Sequence, residues 1–281
     1  QLPIFSVTPR SPPCPPALHP TPSCRPMTRY LLRPLAASLT VAFASVTLAD
    51  TFPDDLEAVR FSCPDLTPSP ATLAVSAQSE VVVGVDLHGS LGKGPCKGSI
   101  VNLIDTDGDG ASDEHTVFAK IDNPRGIIPI GTKVYVLHTT YGPDDLSTGM
   151  SLVVLEDADR DGIADGPAKT LVSGICSPTN INGRGTDHST NGIRMGIDGW
   201  IYIAVGDFGF HDATGVDGTQ LTLLGGGIAR VRRDGTELEL YTTGTRNISD
   251  VAIHPFLNAF TRGNSKAGGS GHVRIGQPRR S

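Results

Sequence analysis

The stretch DHSTNGIRMGIDGWIYIAVGDFG, residues 187–209, places a histidine before one strand-like segment and an aspartate after the next. A turn at residues 196–199 would fold the two segments into an antiparallel hairpin. In the register centred on that turn, His188 lies directly opposite Asp207, whereas a two-residue turn at Asp198-Gly199 would make the two side chains diagonal neighbours. Both registers predict that the imidazole and the carboxylate lie close together.

A carboxylate beside an imidazole selects one tautomer and makes the free ring nitrogen more basic, as a general base requires. His188 is therefore a candidate base, with Asp207 as its orienting partner. The same pair could instead be a structural hydrogen bond at the ends of two strands. One His–Asp pair does not separate these two interpretations. By contrast, we interpret His115 and His138 as polar strand residues rather than ligands.

Two aspartate-rich loops have the spacing of a cation site. The segments DTDGDGASD at 105–113 and DADRDGIAD at 157–165 match the first nine positions of an EF-hand calcium loop. Position twelve is Thr116 in one loop and Ala168 in the other, so the bidentate glutamate of a calcium sensor is missing. We predict two structural Ca2+ sites, and the alternative is a pair of solvated acidic turns. The predicted ligands are Asp105, Asp107, Asp109 and Asp113 in the first loop and Asp157, Asp159, Asp161 and Asp165 in the second.

The pattern of the chain from about residue 80 is that of an all-β protein. Short segments rich in Val, Ile, Thr and Tyr alternate with Gly-, Asp- and Asn-rich turns, and no stretch has a sustained helical period. The two aspartate loops occupy equivalent places between strands, and RGIIPIGTKVYVLH has a counterpart in NGIRMGIDGWIYIAV. A four-stranded unit that recurs every 40–50 residues or so indicates a β-propeller, with room for about four to five blades here. A β-sandwich is the alternative.

The composition limits the class of protein and its partners. The 281 residues are 38% hydrophobic and include 33 Gly and 22 Pro, which favours one large, turn-rich domain. The net charge of −6 disfavours binding to the phosphate backbone of a nucleic acid.

The first 79 residues divide into three predicted segments. Residues 1–26 are Pro-rich and lack an apolar period, which indicates a disordered leader or a non-native extension. Residues 27–49 carry Arg29 and Arg33 before a short apolar run, the pattern of a signal peptide. That run is shorter than the 20 or so apolar residues of a membrane span, so we expect a periplasmic or secreted protein with no transmembrane span in the mature chain. Residues 50–79 are interpreted as a linker and the start of the first blade.

The blades are predicted over residues 80–260. Residues 261–281 show no strand pattern and end in basic residues, which indicates a divergent or out-of-frame tail. Within the mature part, Cys63, Cys96 and Cys176 form neither a CxxC nor a CxxCH motif, so neither zinc nor covalent haem is indicated. A disulfide bond, with Cys63–Cys96 as one pairing, would fit export.

Several of these segments resemble those of known propellers. The pattern DH, GIDGW, IY and GD, followed by GTRN, is similar to that of the soluble quinoprotein glucose dehydrogenases and their glucose/sorbosone dehydrogenase relatives, which are six-bladed. The membrane-bound dehydrogenase propellers of planctomycete and verrucomicrobial type are more similar still, through residues 105–110, 123–126, 187–207 and 244–247. The resemblance covers roughly residues 80–260. It implies a propeller of the six-bladed type that is incomplete here.

The resemblance also implies a chemistry, the oxidation of a sugar or another alcohol by pyrroloquinoline quinone (PQQ). His188 takes the position of the base that removes the hydroxyl proton, and Asp207 the position that orients it. Arg246 and Asn247 take positions that contact the quinone, and a cytochrome c is the implied electron acceptor. This chain departs from the quinoproteins at Ile248, where they usually have proline, and at residues 191 and 192, where they have glycine and arginine.

Two other functions compete with this one. A non-catalytic propeller that binds a carbohydrate or a protein would need the aspartate loops but no redox cofactor. A calcium-dependent lactonase would need a glutamate and asparagines around an open metal position, a pattern that we do not find in the sequence.

Overall fold

The computed structural model describes residues 60–264 and 270–275, so the predictions for residues 1–59 lie outside the described residues. In these described residues, nearly all of the regular structure is β-strand, with one α-helix, α1 (Pro178–Arg184), and one turn of 3-10 helix (Gly89–Leu91). The strands are β1 (Pro70–Val75), β2 (Val81–Asp86), β3 (Gly98–Ile104), β4 (Glu114–Ala119), β5 (Gly126–Ile130), β6 (Lys133–Tyr141), β7 (Ser147–Glu156), β8 (Lys169–Ile175), β9 (Thr190–Met195), β10 (Trp200–Val205), β11 (Phe210–Gly215), β12 (Gln220–Leu223), β13 (Gly226–Arg232), β14 (Glu239–Thr245), β15 (Ala252–Ile253), β16 (Ala259–Asn264) and β17 (Ser270–Ile275).

The strands form four antiparallel sheets, which we call the first to fourth blades. The first blade is β1-β2-β3-β4, the second β5-β6-β7-β8, the third β9-β10-β13-β14 and the fourth β15-β16-β17. The opening strands lie side by side, since β1 contacts β5, β5 contacts β9, and β9 contacts β15. Four sheets that radiate from adjacent inner strands are the arrangement of a β-propeller. The predicted all-β propeller fold is therefore confirmed.

The apolar runs of the sequence are blade strands that are buried on both faces. Side chains alternate between the two faces of a strand, so a strand between two neighbouring blades contributes to two cores. In β6, Val134 and Val136 pack in a cluster with the first blade, whereas Tyr135 and Leu137 pack in a cluster with the third. Each such buried aliphatic side chain contributes about 1.5–3 kcal/mol to folding.

The antiparallel order of the strands gives the propeller two distinct faces. Turns between the first and second strands and between the third and fourth strands of a blade emerge on one side. The aspartate loops follow the third strands, and the Asp157 amide donates to the carbonyl of Thr132 in the β5–β6 turn at 2.8 Å. We call this side the aspartate face. His188, Asp207 and Arg246 lie in the other connections and therefore on the opposite side, which we call the His188 face.

The connection after β10 is a hairpin rather than a short loop. Its strands β11 and β12 add to the outer edge of the second blade, where β11 pairs with β8. The sequence pattern does not identify this pair of strands, because their burial depends on a neighbouring blade. The connection from β8 to β9 contains α1, which starts with Pro178 and is followed by Gly185, both ordinary helix-boundary residues.

Two details of the sequence-based description are wrong. We predicted no strands beyond residue 260, but β16 and β17 pair from Ala259↔Ile275 to Asn264↔Ser270. The predicted hairpin register is also off by one residue near the turn, where Ile201 pairs with Met195. An extra residue at Asn191 then corrects the register, so that Val205 pairs with Thr190.

Candidate functional site

His188 and Asp207 form a direct hydrogen bond on the His188 face. The distance between His188 Nδ1 and Asp207 Oδ1 is 2.5 Å. An ionised carboxylate only accepts hydrogen bonds, so Nδ1 carries the hydrogen and Nε2 of the neutral ring presents a lone pair. The His188 side chain is 13% exposed and that of Asp207 is 29% exposed. The arrangement can accept a proton at Nε2.

A cation lies on the other side of Asp207. Arg246 follows β14, and its Nε is 3.7 Å from Asp207 Oδ2. The Asp207 carboxylate thus lies between an imidazole and a guanidinium. Three sequence-predicted site residues therefore come together, although they are contributed by three different connections of the third blade.

An aromatic ring and a second carboxylate complete the surroundings of His188. The ring of Phe208 stacks on the imidazole with a centroid distance of 5.6 Å and an interplanar angle of 27°. The Arg184 guanidinium lies over Phe208, 5.5 Å from its centroid. Asp187 Oδ2 lies 3.7 Å from His188 Nε2, the nitrogen not bonded to Asp207. Phe208 and Arg184 were not predicted, although an aromatic residue next to Asp207 could have been noted in the sequence.

The backbone around the pair is packed too closely to accept a side chain. The Gly206 amide donates to the carbonyl of Ser189 at 3.0 Å, and the Phe208 amide donates to that of His188 at 3.1 Å. A Cβ atom at Gly206 would lie 2.3 Å from the His188 carbonyl oxygen and 2.2 Å from that of Ser189. Glycine is therefore required at this point, because any other residue would displace the main chain of the candidate base.

A groove of about 580 Å3 runs beside the inner strands β1, β5 and β9. We call it the axial groove, and its charged lining comes from Arg125, Asp187, Arg194 and Asp250. His188 is not part of this lining, but Asp187 is, so the groove begins next to the candidate base. Arg194 pairs with the Asp250 carboxylate at 2.5 Å.

Asn247 points into a different environment from Arg246. It contributes to a neighbouring groove of about 650 Å3 that shares Arg194 and Asp250 with the axial groove. Its Oδ1 is buried and has no hydrogen-bond partner among the described residues. Its backbone φ of 43° matches the 44° of Asn123, which precedes the first strand of the second blade. This repeated left-handed turn is itself a reason for asparagine at both positions.

In the first aspartate loop, three carboxylates converge. Ligand atoms of Asp105, Asp107 and Asp109 lie within 4.8 Å of one another. Asp113 is not among them, and its Oδ2 accepts hydrogen bonds from the amide and the hydroxyl of Thr106 at 2.8 and 2.7 Å. These bonds lower the pKa of Asp113. Both oxygens of Asp105 accept bonds from backbone amides of the loop.

The second loop has a similar but not identical arrangement. Here ligand atoms of Asp157, Asp159 and Asp165 lie within 4.8 Å, and the fourth predicted ligand, Asp161, instead accepts from the Ile163 amide at 2.8 Å. Asp157 Oδ1 is buried without a hydrogen-bond partner among the described residues. Burial, together with the nearby Asp161 and Asp159 charges, raises the pKa of Asp157. Asp157 therefore has fewer hydrogen-bonded oxygens than Asp105, the first aspartate of the other loop.

The environments of His138 and of the cysteines indicate structural rather than catalytic roles. Burial lowers the pKa of His138 to about 4, which fits its interpretation as a neutral strand residue. Cys63 and Cys96 are disulfide-bonded, whereas Cys176 is a buried free thiol whose pKa is raised by burial to about 12. No helix in the described ranges is both long and apolar enough to cross a membrane.

The sequence matches one family of domains. The family model described as a domain of unknown function (DUF7133) matches residues 78–277, which include all four blades except β1. No curated protein matches this chain.

Solved structures with similar folds are distant from this chain. An oxidoreductase of Thermus thermophilus, provisionally assigned as a glucose dehydrogenase, is 17% identical over 76% of this chain and 65% of its own length, with a TM-score of 0.47. A gluconolactonase from Xanthomonas campestris is 17% identical over 70% of this chain and 55% of its own, with a TM-score of 0.44. The calcium-binding protein regucalcin from Agrobacterium tumefaciens is 18% identical over 68% and 51%, with a TM-score of 0.42. This chain thus spans between half and two thirds of these proteins.

Proposed function

Since this chain belongs to the family described as a domain of unknown function (DUF7133), we propose its function from the geometry of its own site. It is an exported, calcium-stabilised propeller that oxidises a sugar or another alcohol with PQQ. The observation that carries this proposal is the carboxylate of Asp207, which lies 2.5 Å from His188 Nδ1 and 3.7 Å from Arg246 Nε. This contact orients a base and leaves Nε2 for the substrate.

Each residue of the site has a separate role in the proposed alcohol oxidation. His188 Nε2 accepts the hydroxyl proton of the substrate, and the resulting imidazolium is stabilised by the Asp207 carboxylate. Phe208 covers one side of the imidazole and limits its rotation. The axial groove, which begins at Asp187, offers the charged groups of Asp187, Arg194 and Asp250 to the hydroxyls of a polyol. When bound, PQQ would accept the hydride from the carbinol carbon.

The donor set near the site is compatible with this cofactor. The Arg246 side chain is 36% exposed, so its guanidinium can contact Asp207 and still reach an anionic ligand. Arginine suits the carboxylates and adjacent oxygens of the quinone. Asn247 lines the groove next to the axial groove. Arg246 and Asn247 are the residues proposed to hold the quinone.

We also propose that Ca2+ stabilises the two aspartate loops. Three converging carboxylates repel one another unless a cation lies between them. The buried, unpartnered Oδ1 of Asp157 is an oxygen of the kind that a hard cation satisfies. Asp113 and Asp161, which lie outside the two converging sets, would serve as support rather than as direct ligands.

Export and the electron acceptor complete the proposal. Disulfide bonds persist in oxidising compartments, so the bonded state of Cys63 and Cys96 supports a periplasmic or secreted location. The signal peptide proposed at residues 27–49 lies outside the described residues. A cytochrome c is the proposed acceptor of the electrons.

The proposal is tested by titrating the purified protein with PQQ in calcium buffer and assaying aldoses with an artificial electron acceptor. Saturable changes in quinone absorbance, followed by sugar-dependent turnover that His188→Ala abolishes, are the expected results. Calcium-dependent stability without quinone binding would reject the enzymatic proposal and favour a carbohydrate- or protein-binding propeller.

A further inference from the structure

Two residues that do not touch the imidazole connect three blades around it. Arg125 lies just before β5 of the second blade, and its guanidinium donates to the Asn191 side-chain oxygen of the third blade. The same nitrogen lies 3.5 Å from the carbonyl oxygen of Thr186. Thr186 precedes His188 by two residues and Asn191 follows it by three, so Arg125 binds both ends of the segment that carries the candidate base.

Asn191 continues this connection to the fourth blade. Its Nδ2 donates to the carbonyl of Ser189 at 3.1 Å and to that of Ile248 at 3.4 Å. Ile248 is fully buried in the core between the third and fourth blades, and it follows Arg246 by two residues. One buried amide therefore ties the His188 segment to the Arg246 segment.

A bulge in the backbone places the Asn191 side chain between the blades. Asn191 is the extra residue that shifts the β9–β10 register between Gly192 and Thr190, and such a bulge redirects a side chain away from the strand pattern. The two inner strands also approach closely, since a Cβ at Gly126 would lie 2.8 Å from the Ile193 side chain. The short separation lets one guanidinium reach across the boundary between the blades.

We infer that Arg125 and Asn191 are positioning residues, which fix His188 relative to Arg246 through a hydrogen-bonded bridge across three blades. The inference rests on the proposed function, because it gives the bridge a role in placing the base and the quinone-binding arginine. Its physical basis is that buried, charge-assisted hydrogen bonds hold a segment more firmly than exposed ones. Burial lowers the pKa of Arg125, and Asn191, which accepts its hydrogen bond, is 7% exposed.

The test uses Arg125→Met, Asn191→Ala and the milder Arg125→Lys, with Arg232→Met as the matched control. Arg232 lies on the aspartate face over Trp200, 3.8 Å from its ring centroid, and has no contact with the site. Two readouts are followed, the NMR titration of the His188 imidazole and the separate values of kcat and KM for sugar oxidation. The first readout needs neither cofactor nor turnover.

We expect Arg125→Met and Asn191→Ala to change the His188 titration curve and to lower kcat about 100-fold, the cost typical of a displacement near 1 Å, with a smaller effect on KM. Arg125→Lys, which keeps the charge, should recover part of the loss, and Arg232→Met should match the wild type. An unchanged His188 titration and unchanged kcat in folded Asn191→Ala or Arg125→Met would overturn the inference. If the wild type has no dehydrogenase activity but the His188 titration still responds, the bridge stands and the proposed function fails.

Discussion

The carboxylates on the two faces of the propeller have different kinds of partner. On the His188 face, the Asp207 oxygens lie beside an imidazole and a guanidinium, both from side chains. On the aspartate face, the carboxylates accept from backbone amides of their own loop and lie close to one another. The first arrangement pairs opposite charges, whereas the second collects like charges.

This difference separates chemistry from stability within one fold. A carboxylate paired with an imidazole changes the behaviour of that imidazole, so its loss should affect turnover more than folding. A cluster of carboxylates that requires a cation couples folding to metal binding, so its loss should affect stability more than turnover. The first three predictions below test that separation, and the fourth tests a buried carboxylate that belongs to neither arrangement.

The largest effect is expected at the candidate base and its partner. His188→Ala and Asp207→Asn should each lower kcat/KM by about 100- to 10,000-fold, because general-base catalysis contributes that much. Both variants should keep the calcium-dependent melting temperature of the wild type. His115→Ala, a substitution in an exposed histidine of an outer strand, is the matched control and should remain fully active.

A backbone substitution should reproduce much of that loss without removing a functional group. Gly206→Ala forces the His188 and Ser189 carbonyls apart, since a Cβ would lie 2.3 and 2.2 Å from them. We expect about a 100-fold loss of kcat/KM in a protein with an unchanged far-UV circular dichroism spectrum. Gly166→Ala, where no atom lies within 4 Å of the added Cβ, is the control. Equal activity of the two variants would contradict the close packing described here.

Calcium should act on stability through the other face. At a free concentration near 100 times the dissociation constant, a ligand stabilises the folded state by about 2.7 kcal/mol, which raises the melting temperature by about 5–10 °C. Asp157→Asn should remove more of this increase in melting temperature than Asp105→Asn. Of the two residues, only Asp157 has a buried oxygen with no hydrogen-bond partner among the described residues. Thermal melts with calcium and with chelator measure the effect, and Asp212→Asn is a control on an exposed carboxylate. An identical response of all three variants would refute the difference between the loops.

The smallest effect is a pH dependence at Asp86, a fully buried carboxylate on the His188 face. Burial raises the pKa of Asp86, while hydrogen bonds from the His88 and Asn123 amides oppose that shift. Because the folded-state pKa lies above the unfolded one, the stability from this group is present at low pH and lost as the pH rises through the folded value. Urea unfolding at pH 4 and pH 7 measures this effect. The free energy of unfolding of Asp86→Asn should rise relative to that of the wild type at the higher pH. A difference between the two proteins that does not change with pH would contradict this assignment.

The sequence predicted the parts of the fold that depend on local pattern. Apolar segments such as KVYVL and WIYIAV became parts of β6 and β10, and the repeated segments became equivalent parts of neighbouring blades. The meeting of His188 and Asp207 also follows from a turn and a register. It required the bulge at Asn191, however, because the register near the turn is one residue away from the prediction.

The remainder depends on contacts between distant segments, which no local pattern encodes. The hairpin β11–β12 is stabilised by the edge of the second blade, where β11 pairs with β8. The bridge from Arg125 through Asn191 to Ile248 joins residues of three blades. In the aspartate loops, spacing identified the acidic residues but not that Asp113 and Asp161 accept hydrogen bonds within the loop.

The most direct test of the reaction centre is a single-turnover experiment with the quinone-loaded protein. The absorbance of the bound quinone would be followed after rapid mixing with an aldose, in the wild type and in His188→Gln. We predict that both proteins retain the quinone and that only the wild type reduces it rapidly. Equally fast reduction in both proteins, or no retention of quinone by the wild type, would contradict the assignment of His188 and Asp207 as the reaction centre.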